Sequence, residues 1–295
     1  ASDVYKRQYS RYVLVVLALT YTCSYLDRYV LSVLVEPIKA DLQISDTQIG
    51  LLGGFAFALL YTLAGVPIAR WADTGSRRTI ISLGVALWSA MTVLCGFAKG
   101  FGHLLIARVG VGLGEAACTP PAHSLIADYF PPQRRASALA FYGMAIPVGV
   151  MLGFLLGGWL AHYFSWRVAF IVIGAPGLLL ALLVRFTIDE PERGRLDAVV
   201  SDDNSDAKSA MRFSDAMKYI FSNRPLLLLQ IGGAFYALAG YGLSFWAAPF
   251  FSRVHHLELQ ELATWLAVAV FVGGILGAII SGKCADHFGE KSLSG

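Results

Sequence analysis

Long apolar stretches separated by short polar segments make up most of the chain. Eight runs stand out: Tyr12 to Leu34, Gln48 to Ile68, Thr79 to Phe97, Leu104 to Ile126, Ala136 to Leu160, Val168 to Val184, Leu226 to Ala248 and Leu262 to Gly282. At ~1.5 Å of rise per residue, about twenty residues cross the ~30 Å hydrocarbon core of a bilayer. The apolar positions are continuous rather than alternating. A backbone in lipid must satisfy its own hydrogen bonds, so the runs predict helices and not barrel strands. Pro67, Pro120, Pro121 and Pro147 fall inside them and predict kinks, which neighbouring helices in lipid tolerate. The one long connection, Thr187 to Ser222, is rich in Asp, Ser and charge. Within it Phe213, Ala216, Met217, Ile220 and Phe221 recur at helical spacing, which predicts a short amphipathic helix on the membrane surface, either tidying the linker or regulating it. The expected fold is all-α and polytopic: a six-helix half over 1–186, a linker over 187–224 and a partial second half over 225–295.

Composition sharpens this reading. Only 15% of residues are charged and 56% are hydrophobic, against about 25% charged in soluble domains. The mean hydropathy is +0.61. An ordinary soluble protein is excluded. A net charge of +3, carried by scattered Lys and Arg, gives no nucleic-acid surface. Cys23, Cys95, Cys118 and Cys284 lack the paired spacing of a disulfide framework or a metal site, and read as small apolar residues; no metal and no cofactor is expected. The opening Ala-Ser-Asp-Val-Tyr-Lys-Arg-Gln lacks the apolar core of a signal peptide, and a first residue other than Met suggests an incomplete reading frame. With the N-terminus inside, 17 of the 23 Lys and Arg residues fall on the cytoplasmic side and 4 on the outer side, an asymmetry that predicts this orientation.

An internal repeat supports the two halves. After the second span the chain reads Ala69-Arg-Trp-Ala-Asp73-Thr-Gly-Ser-Arg77-Arg78, and after the eighth Gly282-Lys-Cys-Ala-Asp286-His-Phe-Gly-Glu-Lys291. An aspartate at a helix end facing a basic turn can hold helices together in one conformation and release them in another. This makes Asp73, Arg77, Arg78 and Asp286, together with Asp128 and Arg135, candidate gate residues. The first copy resembles motif A of the major facilitator superfamily, and Arg108-Val-Gly-Val-Gly-Leu-Gly-Glu115-Ala resembles its motif B. The Spinster-like branch is resembled more closely, through Ser24-Tyr-Leu-Asp27-Arg28, Ser124-Leu-Ile-Ala-Asp128-Tyr-Phe-Pro-Pro, Glu190-Pro-Glu-Arg-Gly194 and Trp246-Ala-Ala-Pro-Phe-Phe-Ser-Arg253-Val-His255. The resemblance implies twelve helices, of which eight are present here. It also implies alternating access, a multi-pass bacterial inner-membrane location and an amphiphilic substrate such as a lysophospholipid or a sphingoid phosphate.

Four charges lie within the predicted membrane core apart from His123: Asp27 and Arg28 on the first span, Arg108 and Glu115 on the fourth. They sum to zero. A charge at the bilayer centre costs ~2.5 to 3.5 kcal/mol on insertion scales, so each needs a partner or a wet cavity. Arg108 and Glu115, seven apart, share a helix face, and Thr20, Ser24 and Asp27 share another, with Tyr21, Tyr25, Arg28 and Ser32 beside it. Counting from the span ends puts Asp27 and Arg28 in the outer half and Glu115 near the midpoint. The two polar faces can meet around one cavity or form fixed ion pairs that only lock two helices. His123, which can pass protons or simply pack, Tyr236 and Trp246 are further cavity candidates. Gly149, Gly153 and Gly157, and again Gly273 and Gly277, have the spacing of close helix packing.

No Walker loop, H-E-x-x-H or G-x-S-x-G occurs, so neither ATP hydrolysis nor a metalloprotease or esterase reaction is expected. The leading reading is a monomeric secondary transporter for an amphiphilic or anionic small molecule, with a proton as coupling ion carried by Asp27 or Glu115. An organic-anion/proton symporter, in which Arg28 or Arg108 clamps a carboxylate, and a non-transporting receptor are the alternatives.

Overall fold

The computed structural model describes residues 2–194, 196 and 213–293. Each predicted apolar run is a helix or a broken helix long enough to cross a bilayer, eight in all among the described residues. The first span is α1 (Ser2–Val33), followed by two short helices, α2 (Val35–Leu42) and α3 (Asp46–Gly50). Ser45 and Gln48 cap α3 reciprocally, with the Ser45 side chain accepting from Gln48 N and the Gln48 side chain accepting from Ser45 N. A π-helical turn over Leu51–Phe55 joins α3 to α4 (Ala56–Thr74), so the second span is wound unevenly where Gly53 and Gly54 fall. The third span is α5 (Arg77–Cys95), started by the side chain of Ser76.

Both of the next two spans break at prolines. The fourth consists of α6 (Phe101–Glu115) and α7 (Thr119–Tyr129). Pro120 and Pro121 carry no N–H, and the end of α6 closes with tighter three-residue bonds from Ala117 N to Gly114 O and from Cys118 N to Glu115 O, both 3.1 Å. Glu115 therefore sits at a helix break near the middle of the span. The fifth span consists of α8 (Pro132–Gly143) and α9 (Ala145–Tyr163), broken three residues before Pro147. The sixth is α10 (Trp166–Thr187), and the predicted surface helix follows as α11 (Phe213–Ser222). The last two spans, α12 (Arg224–His255) and α13 (Leu259–Leu293), run beyond their predicted apolar runs, because helix continues through the polar turns Ser252-Arg253 and Lys283-Cys284.

Glycine decides how the helices pack. α1 lies against α9, and a Cβ placed on Gly149 would fall 2.5 Å from Thr22 O and one on Gly153 2.8 Å from Leu26 O. The helix backbones touch, as small residues permit in lipid. The same close approach joins α5 to α6, where a Cβ on Gly114 would lie 2.8 Å from Gly84 O. α5 also packs on α10, α4 on α6 and α13 on α9, while α12 meets α1. The expected close packing at Gly273 and Gly277 is not found among the described residues: none comes within 4 Å of a Cβ placed on either, whereas one on the adjacent Gly274 would meet Pro147. Residues such as Ile106, Leu179 and Phe186 point outward, as a hydrocarbon solvent allows. Gly153→Val is expected to push α1 from α9 at a cost of roughly 1–3 kcal/mol, the usual penalty of overpacking. Thermal aggregation in detergent should begin at a lower temperature, and an unchanged midpoint would show that the two helices part freely.

Candidate functional site

The four membrane charges pair crosswise between α1 and α6. Arg108 donates from one guanidinium nitrogen to Asp27 Oδ1 at 3.2 Å, and Arg28 Nε donates to Glu115 Oε2. Adjacent residues on one helix thus reach residues two turns apart on the other. Asp27, Arg108 and Glu115 are each no more than 2% exposed. Thr92, on α5 and also buried, donates to the second oxygen of Asp27. Three rings, Tyr25, Phe57 and Tyr61, each lie with the Arg28 guanidinium carbon 5.0 Å from their centres, so the cation is held by aromatic faces as well as by Glu115. Among the described residues four buried side-chain polar atoms have no hydrogen-bond partner, and two of them, Glu115 Oε1 and Arg108 Nε, belong to this centre. An unsatisfied buried acceptor costs ~1–3 kcal/mol, and a site that keeps one is poised for a proton, a water or a ligand.

The other candidates divide around this centre. Tyr21 stacks on Tyr142 at 4.4 Å, Tyr25 meets Tyr21 edge-on, and His123 meets the Tyr142 ring edge-on at 5.5 Å, extending an aromatic column from Arg28 toward the arginine-rich end. Thr20 donates to Val16 O within its own helix, and Ser24 is buried on the Asp27 face. Tyr236 is 83% exposed on α12 and takes no part in the centre. Trp246 packs at the far end of α12, beside Gly50 and under Arg253.

At the arginine-rich end a second network is built on Arg77. Its side chain, fully buried, bonds Glu190 Oε1 at 2.7 Å, Ser124 Oγ at 2.8 Å, Pro191 O at 3.0 Å and the Asp128 carboxylate. Glu190 also accepts from Ser76 Oγ and from Arg78 N, both at 2.9 Å, and Gly194 N donates to Asp128 Oδ1 at 2.9 Å. Arg193 covers the open carbonyls of Ala72 and Gly75 at the end of α4, and Tyr9 bonds Thr187 O and Asp189 N. Residues 188–194 therefore strap the ends of the first four spans together. Asp73, expected to face Arg77 and Arg78, is instead exposed, with no ion pair among the described residues; the acidic partners come from α7 and from the strap because Arg77 points into the bundle. Arg78 donates to Ile188 O, and Arg135 Nε donates to Ala127 O and Phe130 O at the end of α7. The side chain of Asp286 lies outside the described residues. Burial acts to raise the proton affinity of Glu190, but bonds from Arg78 N, Arg77 and Ser76 outweigh it and hold the carboxyl below its ordinary value of 4.5.

The opposite end joins the first six spans to the last two. Arg253 on α12 bonds Glu36 at 2.8 Å and both oxygens of Asp46 at 3.0 and 2.7 Å, and Lys39 adds a bond to Asp46. Ser32 donates to Phe245 O at 2.6 Å, and Trp159 to Thr264 at 3.2 Å. A half-open cavity of about 930 Å³ lies between α1, α8, α9, α12 and α13, lined mostly by apolar side chains including Met144, Phe154 and Leu266.

This arrangement has known counterparts. The family model "Major Facilitator Superfamily" matches residues 17–293. The chain belongs to the major facilitator superfamily. It is 37% identical over 277 residues to an MFS-type efflux pump of Mycolicibacterium smegmatis, covering 94% of this chain and 62% of that protein. It is 27% identical over 292 residues to a probable galactarate/D-glucarate transporter of Bacillus subtilis, covering 92% of this chain and 64% of that protein. Its fold superposes, with a TM-score of 0.85 and 39% identity, on the crystal structure of a bacterial homolog of the human lysosomal transporter Spinster in an inward-facing, unoccupied conformation, over 96% of this chain and 64% of that one. The chain spans a little under two thirds of the length of these relatives. It is thus a multi-pass integral membrane member of the superfamily, similar to Spinster proteins.

Several residues of this superfamily chain escape a reading by charge alone. Thr92 and Phe57 look like ordinary members of apolar helices, Ser32 reads as one residue of a polar stripe with no partner attached, and Glu36 and Asp46 look like loop charges. Glu190 is visible only as part of the Spinster-like segment, with no role attached. Two outcomes follow from the Arg77 network. Arg77→Ala is expected to leave Asp128 without its buried cation, at about 3–5 kcal/mol, while exposed Asp73→Asn changes stability little; equal thermal midpoints for the two variants would show that the network carries no stability. Because the folded Glu190 binds its proton less readily than the unfolded chain does, its contribution is complete above pH 4.5 and is lost as the pH falls through the lower folded value. Glu190→Gln should accordingly flatten the acid limb of a stability profile, and a variant whose acid limb matched that of the unsubstituted protein would remove Glu190 from it.

Proposed function

We propose that this chain forms the first six-helix half and the start of the second half of a proton-coupled secondary transporter for an anionic amphiphile, working by alternating access with its N-terminus in the cytoplasm. The observation that carries the reading is the pair of crossed, buried ion pairs with one oxygen of Glu115 left open. With both carboxylates ionised the centre has no net charge. A proton on Asp27 or Glu115 frees an arginine, and an anionic head group can take the vacated place. Proton and anion then favour one another, a coupling typically of ~1–3 kcal/mol, and it is reciprocal, so the gradients set the direction.

Two chemically different surfaces support an amphiphile in particular. Arg28 sits among the crossed pairs, while the next residue, Tyr29, lines the apolar cavity, so α1 presents a charged and an apolar surface at neighbouring positions, one suited to a head group and one to a tail. The contacts between α12 or α13 and the earlier helices gather at the Arg253 end, which on the proposed orientation closes the outer side. On this reading Arg77, Arg78, Asp128 and Arg135 keep the first half rigid while it rocks against the second. Transport of a small organic anion by the same site is the second reading, favoured by the similarity to the galactarate/D-glucarate transporter, and it leaves the apolar cavity without a task.

In proteoliposomes, lysolipids or organic acids should drive substrate-dependent proton uptake. Arg28→Ala is expected to weaken binding of the active substrate about tenfold or more at every pH, the loss of a charge-assisted contact. Asp27→Asn or Glu115→Gln, each mimicking a protonated carboxyl, should remove the pH dependence of transport while retaining binding. Transport without proton movement, or pH dependence that survives both substitutions, would sink the coupling scheme.

A further inference from the structure

A buried carboxylate that takes up a proton becomes a donor, and the donor then needs an acceptor as surely as the charge needed its cation. Glu115 has none in place, since Arg28 occupies Oε2 and Oε1 is buried without a partner. Asp27 is differently equipped. Its Oδ1 accepts from Arg108, and its Oδ2 meets Thr92 Oγ1. The same hydroxyl lies 2.9 Å from Trp88 O, the carbonyl one turn earlier on α5. A hydroxyl has one proton and two lone pairs, so it cannot donate to both at once.

These distances describe a relay with two complete states. When Asp27 is ionised, Thr92 donates to Oδ2 and Arg108 to Oδ1. When Oδ2 carries a proton, that proton is donated to Thr92 Oγ1, and the hydroxyl's own proton turns to Trp88 O. Oδ1 still accepts from Arg108 in the protonated state, but the arginine's charge is then uncompensated and its remaining N–H donors are available to an anion. We infer that Thr92 is a positioning residue for proton coupling, its hydroxyl reversing direction with the protonation state of Asp27 so that neither state leaves a carboxyl oxygen unpaired. This rests on the reading of Asp27 as a carrier of the transported proton.

Other ionisable groups face Asp27 and set its background. On its own helix they are Arg28 and Cys23, on α5 Cys95, and on α6 Arg108 and Glu115. α9 and α10 carry theirs near their ends, His162, Tyr163, Arg167 and Arg185. α8 meets α1 through Tyr142 at Tyr21, and α12 brings Tyr241 toward Tyr25 and Tyr29. None of them can reverse a hydrogen bond to Oδ2 as Thr92 does.

The test compares Thr92→Val, which keeps the shape and loses the hydroxyl, with Thr92→Ser, which keeps the hydroxyl; Thr92→Ala is a second hydroxyl-free variant should the valine fail to insert. A bond to a charged carboxylate is stronger than one to a neutral acid, so losing the hydroxyl favours the protonated form, and the midpoint of the transport pH profile should rise by roughly one unit in Thr92→Val and stay near its original place in Thr92→Ser. The infrared carbonyl band of protonated Asp27, identified by its loss in Asp27→Asn, should shift in frequency and in titration midpoint in Thr92→Val alone. An unmoved midpoint, or equal movement in Thr92→Val and Thr92→Ser, would overturn the inference. Absence of proton uptake in the unsubstituted protein would instead sink the coupling scheme, and the infrared titration would still report on Thr92.

Discussion

A guanidinium or a carboxylate inside a bilayer has to find its opposite charge within hydrogen-bonding reach, because the surrounding hydrocarbon offers nothing else. In this protein that requirement couples two helices far apart in sequence. Asp27 and Arg28 are neighbours on α1, Arg108 and Glu115 are two turns apart on α6, and the crossed arrangement gives each charge an opposite one. The break after Glu115 places its carboxylate at the point where α6 ends, and the aromatic faces of Tyr25, Phe57 and Tyr61 fix the guanidinium of Arg28 from the other sides. Ion pairs as buried as these add little stability over apolar packing. On the proposed reading their worth lies in having alternatives, since one proton changes which partner each arginine needs.

The two ends of the bundle are held by different means. At the arginine-rich end the partners of Arg77 all come from the first six spans and the strap that follows them, so the network binds that group of helices to itself. At the other end Arg253 reaches from α12 to Glu36 and Asp46, so the bonds cross between the earlier and the later spans. The proposed rocking motion needs both kinds, bonds that survive it and bonds that break with it. Glycine-mediated contact of α1 with α9 and of α5 with α6 belongs with the first kind, since backbones in contact slide poorly past interlocked side chains.

Much was legible in the sequence because lipid imposes simple rules. Length and continuity of the apolar runs gave the eight spans, prolines gave the breaks in the fourth and fifth, and helical spacing gave α11 and the face of Gly149 and Gly153. The four membrane charges were conspicuous for the same reason, being expensive in that solvent. The motif at Asp73 was legible as a motif and misleading as a contact, because a sequence register does not say which way Arg77 turns; it turns inward, and its acids are Asp128 and Glu190.

By itself, then, the sequence determined the spans, their helical state and the list of charges that had to be neutralised, since each follows from local composition set against the dielectric of the bilayer. The tertiary structure alone decided the pairing: Asp27 with Arg108 and Thr92, Arg28 with Glu115, Arg77 with Glu190, Arg253 with Asp46. Partners 65 to more than 200 residues apart are brought together by helix packing. That packing depends on glycine contacts and side-chain directions, which no single helix contains.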